Sequence, residues 1–171
     1  MTTTTVQSVP ARLLHDEVSK LGITHVLSVP DTHQKTLLAS LTADTSWRTL
    51  TLSTEDEALC VNAGLWIGGA EPLVIIQNVG LFASMNALRG MSIDMHIPTF
   101  MLVGQYGRNV KLPVEEDPSS GCRLIQGVLA SVDVPCYVID GPEDVHVIGT
   151  AFRQSRDERR PVVVLISAPT S

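Results

Sequence analysis

The sequence predicts a three-layer α/β fold: an open, mainly parallel six-stranded sheet with helices on both faces, built as a single domain over residues 1–171. Three observations predict it. Helical and strand patterns alternate along the chain. The strand-like runs, such as Leu73-Val74-Ile75-Ile76 and Val162-Val163-Val164-Leu165-Ile166, are apolar at consecutive positions, so both of their faces are buried. After a threonine tract at 1–6, no linker, internal repeat or low-complexity stretch breaks the chain.

The elements follow in order. Leu14, Val18 and Leu21, spaced i, i+4, i+7, mark one stripe of a helix over 10–20 that Gly22 ends. The apolar run 25–29, stopped by Pro30, is a strand. A helix at 36–42, an extended 48–52, a helix at 55–67 and a strand at 73–76 come next. A helix near 83–90, a strand at 99–103 and an irregular stretch at 104–121 follow them. The chain closes with a helix at 122–129, a strand at 136–139, a helix at 143–156 and a strand at 162–166. Ligands of such sheets sit beyond the carboxyl ends of the strands. That singles out the segments 30–35, 53–57, 77–81 and 104–121.

Composition narrows the function. Hydrophobic residues make up 44% of the chain, enough for a packed core without metal or disulfide staples. A net charge of −6 with the two signs interspersed offers no basic stripe for nucleic acid or an anionic membrane. Cys60, Cys122 and Cys136 are odd in number and far apart, as free thiols of a cytoplasmic protein would be. The tract at 1–6 lacks the basic and apolar regions of a signal peptide, and no apolar run reaches membrane-span length. Gly-x-Gly-x-x-Gly, Gly-Lys-Ser/Thr, Gly-x-Ser-x-Gly and His-x-x-x-His are all missing. Self-sufficient nucleotide, serine-hydrolase and zinc chemistries are therefore disfavoured.

What remains is a set of polar residues at strand ends. Ser53-Thr54-Glu55-Asp56-Glu57 leads into Ala58-Leu59-Cys60-Val61-Asn62-Ala63-Gly64, with Thr54 and Glu57 at capping-box spacing. Capping and the helix dipole account for acids at such a place without any function.

The segment 55–67, followed by Gln77-Asn78-Val79-Gly80-Leu81 and Asn86-Ala87-Leu88, resembles the pyrimidine-binding domain of thiamine-diphosphate (ThDP) decarboxylases of the sulfopyruvate and phosphonopyruvate type. Val29-Pro30-Asp31-Thr32-His33-Gln34-Lys35 resembles their first strand end. The resemblance spans about 10–108 by motif and the rest by element order. It implies that Glu55, nine residues before Gly64, is the acid that hydrogen-bonds the cofactor's aminopyrimidine and activates the thiazolium. Gln77, Asn78 and Gly80 would line the cofactor, Asp31 and His33 the reacting substrate, and Lys35 and Arg108 its anionic tail. Val79 and Phe82-Ala83 depart from the family's Gln-Asn-Ser-Gly-Leu-Gly-Asn, and 115–118 lacks a histidine some relatives carry.

No Gly-Asp-Gly, the family's start of a diphosphate and Mg²⁺ site, occurs in the 171 residues. The resemblance thus implies a partner beta subunit holding Mg²⁺ and the diphosphate, in an α2β2 or larger assembly. Three alternatives stay open: a non-catalytic regulatory or scaffolding relative, a ThDP carboligase subunit, and a flavodoxin-like binding module sharing only the sheet.

Overall fold

The computed structural model describes residues 8–171. The expectation for the tract at 1–6 lies outside the described residues. Helices and strands alternate as α1 (Ala11–Val18), β1 (His25–Ser28), α2 (Lys35–Ala43), β2 (Arg48–Thr51), α3 (Glu55–Ile67), β3 (Pro72–Gln77), α4 (Asn78–Ala83), α5 (Met85–Ala87), β4 (Thr99–Gly104), α6 (Ser120–Ser131), β5 (Cys136–Ile139), α7 (Val147–Glu158) and β6 (Pro161–Ile166). The strands form one sheet in the order β2-β1-β3-β4-β6-β5. Every pairing in it is parallel.

Residue-by-residue alternation explains why the inner strands read as unbroken apolar runs. Leu73 and Ile75 of β3, Phe100 and Leu102 of β4, and Val162, Val164 and Ile166 of β6 enter one core with α1, α2 and α7. Their neighbours Val74 and Ile76, Met101 and Val103, and Val163 and Leu165 enter a second core with α3, α4 and α6 on the other face. Burying both faces leaves the strand ends as the only places where this sheet can present polar groups. Edge strand β2 is the exception, with Arg48, Leu50 and Thr51 exposed.

Two elements differ from expectation. The segment 77–81 is not a loop: α4 starts at Asn78, directly off β3, and the chain runs through α5 into a π-helical turn at Leu88–Asp94. Asn and Gly punctuation in Gln77-Asn78-Val79-Gly80 suggests a turn, but buried Leu81 and Leu88 hold the segment onto the sheet. The stretch 104–121 is ordered by a single buried acid. Asp117, 1% exposed, accepts hydrogen bonds from Arg108 Nη1 at 2.8 Å and the backbone N–H groups of Asn109 at 2.7 Å and Ser119 at 2.8 Å. Arg108 Nη2 donates to the carbonyl of Leu112. Burial works to raise the Asp117 carboxyl, but these bonds outweigh it and hold the acid below the usual carboxylate range.

Replacing Asp117 by Ala leaves the Arg108 charge buried and unpaired, an expected loss of about 3–5 kcal/mol. A urea titration and limited proteolysis check this: the midpoint falls and the first cuts move into 105–119, whereas an unchanged midpoint and cutting pattern would show that the loop holds without the pair.

Candidate functional site

Strand order places the site. The chain leaves β1 toward β2 and leaves β3 toward β4, so the carboxyl ends of β1 and β3 flank a topological switch point. Asp31, Gln77 and the start of α4 meet there. Glu55 approaches from the neighbouring strand β2.

The three acids of α3 separate by geometry. Thr54 is the N-cap, its side chain accepting from the Glu57 N–H, while Glu57 Oε2 accepts from the Ser53 N–H at 2.8 Å. This closes a capping box displaced by one residue. The Thr54 hydroxyl hydrogen-bonds Asp56 and holds its carboxyl below the usual range. Glu55 alone takes no part in the cap. Its half-buried side chain turns across the sheet edge onto the backbone of Gly80, lying so close that a Cβ at Gly80 would overlap its carboxyl. Among the described residues it accepts no hydrogen bond. A side chain at Gly80 would therefore push this carboxyl aside, so the position matters for close approach rather than for its backbone angles.

Asp31 is the hub beside it. Although only 5% exposed, its carboxylate is well supplied with donors: Oδ1 accepts from the His33 N–H at 2.7 Å and from Gln77 Nε2 at 2.8 Å, and Oδ2 accepts from Gln34 Nε2 at 2.8 Å. The His33 bond is the local turn expected of an aspartate after proline. The Gln77 bond ties it to the end of β3. Gly104 makes the third side of this pocket, since a Cβ there would lie 2.5 Å from Asp31 Oδ2. Gln34 is fully buried, which nothing in its local sequence signals; its Nε2 also donates to the carbonyl of Ile76, and its Oε1 is left without a partner. A buried carbonyl oxygen without a donor is a place for one from a ligand or water.

His33 Nε2 lies 2.9 Å from the carbonyl of Ile166. A carbonyl only accepts, so Nε2 carries the proton and Nδ1 is left as an acceptor. Burial lowers the imidazole from its ordinary value of 6.5, outweighing the nearby Asp31 charge and the backbone carbonyls, and the ring is neutral at pH 7.

Asn78, fully buried, bridges helix and loop: its Oδ1 accepts from the Tyr106 N–H at 3.1 Å, and its Nδ2 faces Cys122 Sγ at 3.7 Å. Lys35 is exposed at the first turn of α2. Arg108 stands apart from the Glu55 and Asp31 cluster, with both terminal nitrogens committed to Asp117, Asn109 and Leu112. The described residues contain no group of three or more His, Cys, Asp or Glu that could hold a metal ion, and no helix long and apolar enough to cross a membrane.

A histidine whose folded pKa is lowered resists a proton that the unfolded chain accepts, so its contribution to stability is flat above about pH 6.5 and is lost as pH falls below it. His33→Asn is therefore expected to narrow the gap in melting temperature to the parent chain between pH 7.5 and about pH 5.5. Parallel melting curves across that range would contradict a buried neutral imidazole.

No family model matches the chain. Relatives do. The chain is 26% identical over 148 residues to the sulfopyruvate decarboxylase subunit alpha of Methanococcus maripaludis, covering 86% of this chain and 87% of the relative. It is 35% identical over 140 residues to the phosphonopyruvate decarboxylase of Streptomyces viridochromogenes, covering 81% of this chain and 35% of that longer protein. Benzoylformate decarboxylase from Polynucleobacter necessarius superposes with a TM-score of 0.70 over 92% of this chain and 29% of its own, at 19% identity, a likeness of fold. In sequence this chain is similar to the sulfopyruvate decarboxylase alpha subunits and to one part of the larger phosphonopyruvate decarboxylases, and in fold to one part of a benzoylformate decarboxylase.

Proposed function

We propose that this chain is the aminopyrimidine-binding subunit of a split ThDP-dependent decarboxylase acting on a small 2-oxo acid of the sulfopyruvate or phosphonopyruvate type. One observation carries the proposal: of three acids at the start of α3, Glu55 alone is excused from capping and is laid over Gly80 at the switch-point edge without a hydrogen-bond partner. A carboxyl held half-buried and unspent is what a ring nitrogen needs in order to share a proton. The glycine backbone beneath it, and Gln77 and Asn78 beside it, leave room and polar edges for a flat heterocycle. The residues present therefore fit the cofactor's pyrimidine.

Thiamine diphosphate, when bound, supplies the electron sink for the carbon–carbon bond broken as carbon dioxide leaves. Glu55 would hold the pyrimidine nitrogen and exchange its proton there. Asp31, fixed by its donors, orients the Gln77 amide. His33 presents Nδ1 as a proton acceptor at neutral pH. Lys35, exposed four residues after Asp31, is the cation available for a sulfonate or phosphonate tail, whereas the terminal nitrogens of Arg108 are committed and its Nε is buried. The diphosphate and Mg²⁺ are assigned to a beta subunit in an α2β2 or larger assembly. This is supported by the missing Gly-Asp-Gly and by the name "subunit alpha" of the archaeal relative. Three unpaired cysteines accord with a cytoplasmic setting.

The test is co-expression with the chain encoded beside it, followed by carbon dioxide release from sulfopyruvate, phosphonopyruvate and pyruvate with ThDP and Mg²⁺. The pair is expected to be active and either chain alone inactive, with Glu55→Gln lowering the rate by about 10²-fold or more, the scale of a lost acid–base group. Gly80→Ala separates site from fold. It favours the helix by up to about 1 kcal/mol yet pushes the Glu55 carboxyl aside, so melting temperature holds or rises while activity falls. A pair that binds no ThDP and is indifferent to Glu55→Gln would sink the catalytic reading in favour of a regulatory one.

A further inference from the structure

One side chain at the switch point breaks two local rules at once. Gln34 occupies the N-cap position of α2, where a short polar side chain ordinarily accepts from the free N–H groups of the helix, yet it makes no capping hydrogen bond. It is fully buried instead, with its carbonyl oxygen unpaired. For the fold alone an apolar side chain of the same size would serve better there, because a buried amide with its oxygen unmet is costly. Local rules broken without a gain to the fold are expected at functional sites.

The amide nitrogen shows what holds the residue there. Gln34 Nε2 donates to Asp31 Oδ2 at 2.8 Å and lies 3.2 Å from the carbonyl of Ile76 and 3.4 Å from that of Leu102, near the ends of β3 and β4. Three acceptors around one atom require that the nitrogen, not the oxygen, face Asp31. Gly104 closes another side. Its φ is not positive, so no backbone angle demands glycine. A Cβ there, however, would lie 2.5 Å from Asp31 Oδ2 and 3.1 Å from Gln34 Nε2. The other Asp31 oxygen accepts from Gln77 Nε2 at 2.8 Å, which leaves the Gln77 carbonyl as the end of that amide turned away from the acid.

We infer that Gln34 is a positioning residue: seated against the ends of β3 and β4, it aims the Asp31 carboxylate and through it fixes the orientation of the Gln77 amide at the candidate site, with Gly104 keeping the space. The consequence for turnover rests on the decarboxylase reading, whereas the alignment itself does not, and the two are tested separately.

The alignment is read in the full chain without cofactor or partner, from the side-chain N–H signals of Gln77 in a nitrogen-correlated NMR spectrum, identified by their loss in Gln77→Glu. Gln34→Leu, similar in volume, removes the donor, and Gly104→Ala introduces a clash from a different element. Both variants are expected to keep the circular dichroism of the parent and the amide signals of Asn62, which is bonded to Pro98 and Thr99 elsewhere in the core. The Gln77 signals are expected to move toward those of a solvent-exposed amide. In the co-expressed pair, both variants are expected to lower kcat about tenfold, the scale of one hydrogen bond to a charged group, with KM changed far less. Gln77 signals that stay in place in Gln34→Leu overturn the alignment; should that variant not fold, Gly104→Ala decides the same point. Moved signals with kcat unchanged overturn the role in turnover. A parent pair without activity defeats the decarboxylase reading alone, and the Gln77 signals still decide the alignment.

Discussion

The carboxylate of Asp31 is the constraint on which this end of the molecule turns. A charge that is 95% withdrawn from water is tolerated only where donors replace the lost hydration. Here two come from the turn that follows β1, at His33 and Gln34, and the third from Gln77 at the end of β3, 46 positions away. Satisfying the acid therefore fixes the spacing of β1 and β3 at the switch point. It also bars any side chain at Gly104, the last residue of β4. The same hydrogen bonds that make the charge bearable align Gln34 and Gln77 across the ends of the inner strands.

Beside it, α3 shows how local rules free a residue for chemistry. A helix start needs a cap and favours acids, and those two demands are met by Thr54, Glu57 and Asp56. Because the cap is complete without Glu55, its carboxyl is available to cross onto α4. That crossing depends on glycine at position 80, so the two residues form one device drawn from different elements. Neither has an evident structural need for the other.

The sheet was legible because β3, β4 and β6 are buried on both faces and so read as unbroken apolar runs, and because Gly22 and Pro30 mark real boundaries; Gly22 takes a left-handed conformation. The acids at α3 were legible as a cap, while the preference for Glu55 over its neighbours came from resemblance and its placement over Gly80 from geometry. What stayed hidden depends on contacts remote in sequence. Gln34 meets Asp31 locally but also the carbonyls of Ile76 and Leu102, 42 and 68 positions away. Asp117 reads as one of three acids in a loop, and nothing local says that it alone is buried and organises Arg108, Asn109 and Ser119. The helical course of 78–83 was masked by Asn and Gly, which punctuate turns when no core holds the segment down.

The two ends of the carboxyl edge are not mechanically separate. Gln105 lines a crevice with Arg108, Val138 and Asp140, and the next residue, Tyr106, gives its N–H to Asn78, two positions before Gly80. Arg108 reaches the same loop from the other side through Asp117, whose neighbour Ser119 precedes α6 and the Cys122 contact with Asn78. The loop between β4 and α6 is thus packed simultaneously against the crevice and against the helix on which Glu55 rests. Such a chain of contacts becomes a coupling only if the loop has two discrete arrangements. The pairing of Asp117 with Arg108 holds one such arrangement, closed on the sheet, and it is the contact that any second arrangement would have to give up.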